Sequence, residues 1–224
     1  MPSFTLGPFQ IDTVIFDFDG TLAKLNIDFD QMRDVIRSLI NSYGIDENQL
    51  RTHYVLELID EAAKLLYQRS PRQAETFSRE AFLMIENIET AAAQNGALFF
   101  YTRDLLTGLQ ARGIKHGIIT RNCAKAVKIL FPDVLNYCPV LVCRDDVSNV
   151  KPHPEHISLA LSQLGSRAKN TLMIGDHPLD IIAGHNAGTA ACGVLTGRCT
   201  KEDFVKAKAD IILADASGIL DRVR

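Results

Sequence analysis

Acidic side chains recur in two short segments of the sequence, each directly after an apolar run. Asp17 and Asp19 follow one run, and Asp176 and Asp180 follow another. Four carboxylates brought together would repel one another, so such a cluster requires a positive partner. Oxygen-only ligand sets suit Mg²⁺, which keeps water and a substrate phosphate in its coordination shell. The four acids therefore predict a magnesium site that serves phosphoryl transfer.

Two further segments could supply positive charge and hydrogen-bond donors. Thr120 and Arg121 follow the apolar run Gly117-Ile118-Ile119, and Lys151 opens the segment Lys151-Pro152-His153-Pro154-Glu155. The Thr120 hydroxyl and neighbouring backbone N–H groups could bind phosphate oxygens. Lys151 could offset the repulsion between an attacking carboxylate and a phosphate dianion.

These polar segments fall where buried strands are expected to end. Short, continuous apolar runs favour strands that are buried on both faces of a parallel sheet. The runs are Val14–Phe16, Gly117–Ile119, Val140–Cys143, Thr171–Ile174, Ala191–Leu195 and Ile211–Leu213. Helical patterns at 104–112, 156–164 and 180–186 alternate with them. This alternation predicts a doubly wound α/β sheet, in which ligands bind at the carboxyl ends of the strands.

The stretch from Lys24 to Leu98 interrupts the alternation. Its apolar residues recur at helical spacing, and turn signals fall at Tyr43-Gly44, Ser70-Pro71 and Asn95-Gly96. We therefore predict three or four antiparallel helices inserted after the first strand.

Composition argues against several classes of partner. The 224 residues carry 24 Lys+Arg and 27 Asp+Glu, a net charge of −3, which offers no footprint for nucleic acid or an anionic membrane. The five cysteines are odd in number and lack CxxC spacing, so neither a disulfide framework nor a zinc site is expected. We expect neither a signal peptide nor a membrane-spanning segment, because the first residues lack a basic region followed by a long apolar run and no apolar run approaches the length of a membrane span. We expect a cytoplasmic protein with reduced thiols.

Taken in order, the polar segments resemble a known family. The DxDGT motif at 17–21, a strand that ends in Thr120, Lys151 in KPxPE and the GDxxxD motif at 175–180 are similar to the haloacid dehalogenase superfamily. The similarity is greatest to phosphoglycolate phosphatase-like members and covers nearly the whole chain. It implies an α/β hydrolase core of residues 1–23 and 99–224, with an inserted α-helical cap at 24–98. It also implies Mg²⁺-dependent hydrolysis of a small phosphate ester.

The resemblance assigns roles to the first motif. Asp17 would be the nucleophile and would form an aspartyl-phosphate intermediate. Asp19 would protonate the leaving alcohol and then activate water. Thr21 would orient Asp19 or its loop.

The remaining motifs would bind phosphate and metal. Thr120 and the backbone N–H of Arg121 would hold phosphate oxygens, and Lys151 would neutralise charge. Asp176 would bind Mg²⁺ together with Asp17 and the carbonyl of Asp19. Asp180 would orient Lys151 or a metal-bound water.

Several questions stay open in the sequence. The substrate and the residues that select it are not defined, and the candidates are Lys24, Arg33, Arg37 and Arg121. Arg121 could contact substrate or solvent, and His177 is expected at the surface. A helix-capping or solvated role is favoured for Asp145 and Asp146.

Two other enzyme activities and one non-enzymatic role are alternatives within the same fold. A dehalogenase would not need Asp19, and a sugar phosphomutase often lacks a threonine at the position of Thr21. A catalytically silent phosphate-binding regulatory protein would be expected to lose a motif acid or Lys151, and all are present.

Overall fold

The computed structural model describes residues 2–223, which form two compact units. The first unit contains the chain up to Leu25 and from Asn95 onward, and the second is Asn26–Gln94. The predicted insert, 24–98, contains the second unit together with a few flanking residues of the first.

All strands of the described residues belong to the first unit. In chain order they are β1 (Phe4–Leu6), β2 (Phe9–Ile11), β3 (Thr13–Phe16), β4 (Ala23–Lys24), β5 (Ala97–Leu98), β6 (Lys115–Ile119), β7 (Val140–Val142), β8 (Thr171–Gly175), β9 (Ala190–Val194) and β10 (Ile211–Leu213). The α-helices are α1 (Phe29–Ser42), α2 (Val55–Arg69), α3 (Pro71–Gln94), α4 (Thr102–Ala111), α5 (Ala124–Leu130), α6 (Val134–Tyr137), α7 (Glu155–Leu164), α8 (Pro178–Asn186) and α9 (Lys201–Lys206).

Six strands form a parallel sheet in the order β10-β9-β8-β3-β6-β7. The chain runs from β3 to one edge of the sheet and then returns to β8 on the other side of β3. This reversal makes the carboxyl end of β3 the switch point, where doubly wound sheets form their ligand crevice. All six predicted strand runs are found in this sheet, and the α/β prediction is confirmed.

The sheet strands form because their side chains are buried on both faces. Every residue of β3, β8 and β9 is buried. Continuous burial of this kind excludes polar alternation and explains why unbroken apolar runs mark these strands in the sequence. A cluster that includes Ile15, Ile119 and Met173 packs against α7 and α8 beneath the site-bearing loops.

The predicted helices of the first unit are present as α4, α7 and α8. Helix α7 ends at Gly165, whose left-handed backbone (φ +57°, ψ +46°) is the conformation that favours glycine at a helix end. Helices α5, α6 and α9 have four to seven residues and were not predicted. Short helices carry too few turns to show a helical period.

The second unit consists of α1, α2 and α3 around an apolar core. Asp28 caps α1, where its carboxylate accepts the N–H groups of Asp30 and Gln31. The helices bury Met32, Ile36, Leu39 and Ile40 of α1, Leu58, Ile59, Ala62 and Leu66 of α2, and Ala74, Phe77, Ala81 and Ile85 of α3. The predicted turns fall at the helix boundaries.

Two small antiparallel pairs were not predicted. Strands β1 and β2 form a hairpin around Gly7, and β4 pairs with β5 through Ala23 opposite Leu98. Strands of two or three residues give no recognisable alternation. Among the described residues, no helix is long and apolar enough to cross a membrane.

Candidate active site

The strand ends of the parallel sheet bring the predicted acids together. Asp17 directly follows β3, and Asp176 directly follows β8, the hydrogen-bonded neighbour of β3. The Asp17 N–H donates to the carbonyl of Ile174 (2.8 Å), which extends this pairing one residue beyond β3. Thr120 follows β6 on the other side of β3. Three of the four predicted segments therefore border the switch point of the sheet.

A buried ammonium group joins two of these acids. Lys151 Nζ donates to Asp17 Oδ1 and, at 2.6 Å, to Asp180 Oδ1 from helix α8. The Lys151 side chain is only 2% exposed. Burial by itself would lower the pKa of Lys151, but attraction to the two carboxylates outweighs it and raises the pKa above its usual value. Lys151 therefore carries a positive charge at neutral pH.

One ammonium group does not balance the carboxylates around it. Asp17, Asp176 and Asp180 each offer an oxygen, and these oxygens lie within 4.8 Å of one another. Burial, and then repulsion by Asp17 and Asp180, raises the pKa of Asp176 to about 9. Burial also raises the pKa of Asp17 to about 6, against the opposing effect of Lys151. The remaining negative charge and the oxygen-only donors fit a hard divalent cation.

Asp19 is placed differently from the other three acids. Its carboxylate accepts the backbone N–H of Leu25 (2.8 Å) and is not part of the three-carboxylate group. Burial raises its pKa to about 7, although the Leu25 hydrogen bond opposes the shift. A carboxyl group with a pKa near 7 can both give and take a proton at neutral pH. The carboxylate of Asp19 thus lies apart from the three-carboxylate group and is suited to proton transfer.

The loop after β6 lies against Lys151. Thr120 is buried, its N–H donates to the carbonyl of Val142 (3.0 Å), and its hydroxyl oxygen accepts the N–H of Asn122 (3.1 Å). The Arg121 guanidinium donates to the carbonyl of Lys151 (2.6 Å). Arg121 therefore bonds to protein backbone, a placement that was left open by the sequence.

Close approach of two loops shapes the other side of the site. Gly20 has φ +84°, and a Cβ there would overlap the Asp176 carboxylate. A Cβ at Gly197, in the loop after β9, would overlap the same carboxylate. Both glycines are therefore required for the observed path of these loops.

The Thr21 hydroxyl is buried and has no hydrogen-bond partner among the described residues.

Comparison with known proteins identifies the family. Residues 14–194 match the haloacid dehalogenase-like hydrolase family. Pyrophosphatase PpaX of Bacillus pumilus (strain SAFR-032) is 31% identical over 219 residues, which cover 94% of this chain and 95% of that protein. The chain belongs to the haloacid dehalogenase-like hydrolases. It is a phosphatase of that family, as predicted.

Solved structures share the fold of this hydrolase. A predicted phosphoglycolate phosphatase from Haemophilus somnus 129PT has a TM-score of 0.64 at 20% identity, over 96% of this chain and 98% of that one. CbbY from Rhodobacter sphaeroides, in complex with phosphate, has a TM-score of 0.62 at 20% identity, over 93% and 96%. Both agree with the doubly wound core described above.

Two further side chains that the sequence singled out cap helices of the hydrolase. His177 is half-buried, and its Nδ1 accepts the N–H of Leu179 (3.1 Å), so the ring caps the start of α8. Asp145 accepts the N–H of Ala124 (3.0 Å) at the start of α5, as the capping interpretation predicts.

Three of the basic residues considered for substrate recognition lie in ion pairs of the helical unit or on an exposed strand. Arg33 pairs with Asp30 (2.8 Å), and Arg37 lies 3.9 Å from Glu47, within the helical unit. Lys24 is exposed on β4.

Sequence reasoning also missed the loop after β9. The Thr196 hydroxyl donates to the carbonyl of Gly20 (2.5 Å). Arg198 is exposed, and its positive charge opposes the rise in the pKa of Asp19. The predicted strand β9 could have pointed to this loop, because the carboxyl end of β9 lies at the same edge of the sheet as Asp17.

Proposed function

We propose that this protein is a Mg²⁺-dependent phosphomonoesterase that acts on a small phosphate ester through an aspartyl-phosphate intermediate. The observation that carries the proposal is the buried group of Asp17, Lys151, Asp176 and Asp180 at the switch point of the sheet. Asp19 beside it, with a pKa near 7, supplies an acid and a base.

Asp17 is assigned as the nucleophile. Its side chain is about one-tenth exposed, so a substrate can reach it, and its charge is opposed by Lys151. A carboxylate oxygen of Asp17 attacks phosphorus, and the bond from phosphorus to the leaving oxygen breaks. Asp19 gives its proton to that leaving oxygen.

Hydrolysis of the intermediate reverses these roles. Asp19, now ionised, takes a proton from water, and the water oxygen attacks phosphorus. The bond from phosphorus to the Asp17 oxygen breaks, which releases phosphate and restores both side chains. Thr120 and the backbone N–H of Arg121 are assigned to phosphate oxygens.

Asp17, Asp176 and the carbonyl of Asp19 are proposed to hold Mg²⁺. The ion would supply positive charge to the transferring phosphoryl group. Asp180 has a different assignment, because its oxygens already accept bonds from Lys151 Nζ (2.6 Å) and from the His177 N–H (3.1 Å). We assign Asp180 to orientation of Lys151.

We also propose that Asn26–Gln94 serves as a substrate-selecting cap. It is a helical insertion within the hydrolase core, and the β4–β5 pair joins the chain segments that enter and leave it. Cap movement would exclude water during the reaction.

The protein is assigned to the cytoplasm, with no nucleic-acid or membrane partner.

Phosphate release from a substrate panel tests the function. The panel contains p-nitrophenyl phosphate, phosphoglycolate and a sugar phosphate, each with Mg²⁺ or with EDTA, for the wild type and Asp17→Asn. We expect Mg²⁺-dependent release that falls at least 10³-fold in the variant. Equal rates in the two proteins would contradict the proposal.

Hydrolysis of inorganic pyrophosphate is a second candidate activity. It is favoured by the similarity to pyrophosphatase PpaX, at 31% identity over nearly the full length of both chains. Pyrophosphate therefore belongs in the same panel. A kcat/KM for pyrophosphate at least tenfold above that for every ester would assign the anhydride as the substrate, and the reverse ratio would exclude this second candidate.

A further inference from the structure

Lys151 is held at its backbone as well as at its ammonium group. Its N–H donates to Nδ1 of His156 (3.3 Å), and its carbonyl accepts from the guanidinium of Arg121 (2.6 Å). At the other end of the side chain, Nζ donates to Asp17 and Asp180. Both ends of Lys151 are therefore fixed by side chains from other elements.

His156 can serve Lys151 in only one protonation state. It lies in the first turn of α7, fully buried, with Nε2 3.3 Å from the carbonyl of Cys143. A carbonyl oxygen only accepts, so the hydrogen of the neutral ring lies on Nε2 and leaves Nδ1 as the acceptor for Lys151 N–H. Burial, and then the charge of Lys151, lowers the pKa of His156 to about 4. The acceptor is therefore present at neutral pH.

Arg121 connects the loop after β6 to the loop that carries Lys151. Its own carbonyl accepts from Nη1 of Arg144 (3.2 Å), a residue that is 6% exposed. The N–H of Arg144 in turn donates to the carbonyl of Asn122 (3.2 Å). The backbone that presents Thr120 and the backbone that presents Lys151 are thus joined by one set of hydrogen bonds.

We propose that His156 and Arg121 are positioning residues that set the reach of the Lys151 ammonium group to Asp17. The inference rests on the proposed function, in which Lys151 offsets charge during phosphoryl transfer. A misplacement of about 1 Å at a reacting group can cost on the order of 10²-fold in rate. Loss of either contact should lower kcat and leave KM nearly unchanged, because both side chains bond to the backbone of Lys151 and the proposal assigns neither side chain to substrate.

Substitutions at His156 separate its hydrogen bond from its volume. In His156→Asn, Oδ1 takes the place of Nδ1 and keeps the acceptor. His156→Phe keeps a ring but removes both polar contacts. We expect kcat to fall 10- to 100-fold in His156→Phe and less than fivefold in His156→Asn, with KM within twofold in both. Equal losses in the two variants would overturn the proposal.

His116 offers a matched control. It is also buried, and its ring nitrogens lie 3.1 Å from the carbonyl of Ile114 and 2.7 Å from that of Tyr137. It lies on β6, and neither of these ring contacts involves Lys151 or an acid of the site. We expect His116→Phe to lose stability and keep its kcat. A kcat loss in His116→Phe as large as that in His156→Phe would show a general folding effect and overturn the proposal.

Lysine acylation gives a readout that does not depend on activity. Wild type, His156→Phe, His156→Asn and His116→Phe are treated with limiting acetic anhydride, and labelled lysines are mapped by mass spectrometry. We expect Lys151 to be protected in all except His156→Phe, where labelling rises at least fivefold. Protection in His156→Phe would contradict the positioning role. An inactive wild type with this labelling pattern would refute the function and leave the positioning role supported.

Arg121→Ala distinguishes positioning from substrate binding. A positioning role predicts a roughly tenfold lower kcat with KM within twofold. A raised KM with an unchanged kcat would instead place the guanidinium on substrate and overturn its assignment here.

Discussion

Two sets of opposite charges in this hydrolase behave in contrasting ways. Arg103 and Asp133 form a two-pronged ion pair (2.6 and 2.7 Å) at the surface, where the guanidinium also packs on Phe131 and Tyr137. The hydrogen bonds from Arg103 hold the pKa of Asp133 below its usual value. The pair is balanced in charge and satisfied in hydrogen bonding, so it needs no further ligand.

The group around Lys151 is neither balanced nor exposed. Burial raises the pKa of Asp17, and it raises the pKa of Asp176 by more. One ammonium group faces three carboxylates. Charges assembled at a cost to stability are characteristic of binding and catalytic sites. The contrast supports the proposal that the surface pair stabilises the fold, whereas the buried group serves to bind a cation and a phosphate.

Removal of the ammonium group should have the largest effect on stability. Lys151→Met would leave the buried carboxylates without their positive partner, at a cost of roughly 3–5 kcal/mol in the free energy of unfolding. Urea denaturation at pH 7.5 without divalent cations measures this loss. The double variant Lys151→Met/Asp180→Asn should be more stable than Lys151→Met, because one unpaired charge is removed. A double variant that is no more stable would refute the electrostatic explanation.

Mg²⁺ should stabilise the wild type by acting on the same imbalance. At a concentration 100 times its Kd, a ligand that binds only the folded state adds about 2.7 kcal/mol. Thermal unfolding across a Mg²⁺ titration gives this value, and Asp133→Asn should show the same increase. Asp176→Asn should show almost none. An undiminished Mg²⁺ effect in Asp176→Asn would place the cation elsewhere.

Asp176→Asn should make the cation-free protein more stable. The folded pKa of Asp176, about 9, exceeds the ordinary aspartate value of 3.8, so the contribution of this group to stability is complete below about pH 4 and is lost as the pH rises toward 9. Asparagine does not ionise, so we expect the variant to gain stability at pH 8 and this gain to shrink on acidification to pH 5. Unfolding in EDTA at both pH values measures it. A variant less stable than wild type at pH 8 would contradict the sign.

Asp133→Asn should have the smallest effect and the opposite sign. The folded pKa of Asp133 is lowered, so its stabilisation is present above the ordinary aspartate pKa and is lost as the pH falls. Substitution should lower the melting temperature slightly at pH 7, less in high salt, and leave kcat unchanged. A loss of activity as large as that of a site variant would end the distinction between the two charge groups.

The sequence predicted the positions of the strands better than the directions of the side chains. The fully buried strands β3, β8 and β9 are marked by unbroken apolar runs, and Asp17 and Asp176 follow from the rule that sites form at strand ends. The β4–β5 pair joins residues more than seventy positions apart, and no local pattern reports such a contact.

The missed features of the site depend on loop conformation. Asp19 lies two residues from Asp17, yet its carboxylate turns to the N–H of Leu25 instead of the acid cluster. Arg121 turns to the carbonyl of Lys151, and His156 does not stand out from the other residues of α7 until the Lys151 loop is placed against it. Side-chain direction in loops is set by such contacts between distant segments, which composition and spacing do not contain.

The covalent intermediate on Asp17 is the most direct test of the proposed mechanism. Asp19→Asn removes the base for the second step, whereas p-nitrophenolate can leave in the first step without a proton from Asp19. The variant mixed with Mg²⁺ and p-nitrophenyl phosphate should therefore accumulate phosphorylated protein. Intact-mass spectrometry after rapid acid quenching should show a gain of one phosphoryl group, located on Asp17 by peptide mapping and absent from Asp17→Asn/Asp19→Asn. Substrate turnover by the wild type without any such adduct in Asp19→Asn, or an adduct on another residue, would contradict the assignment of Asp17 as the nucleophile.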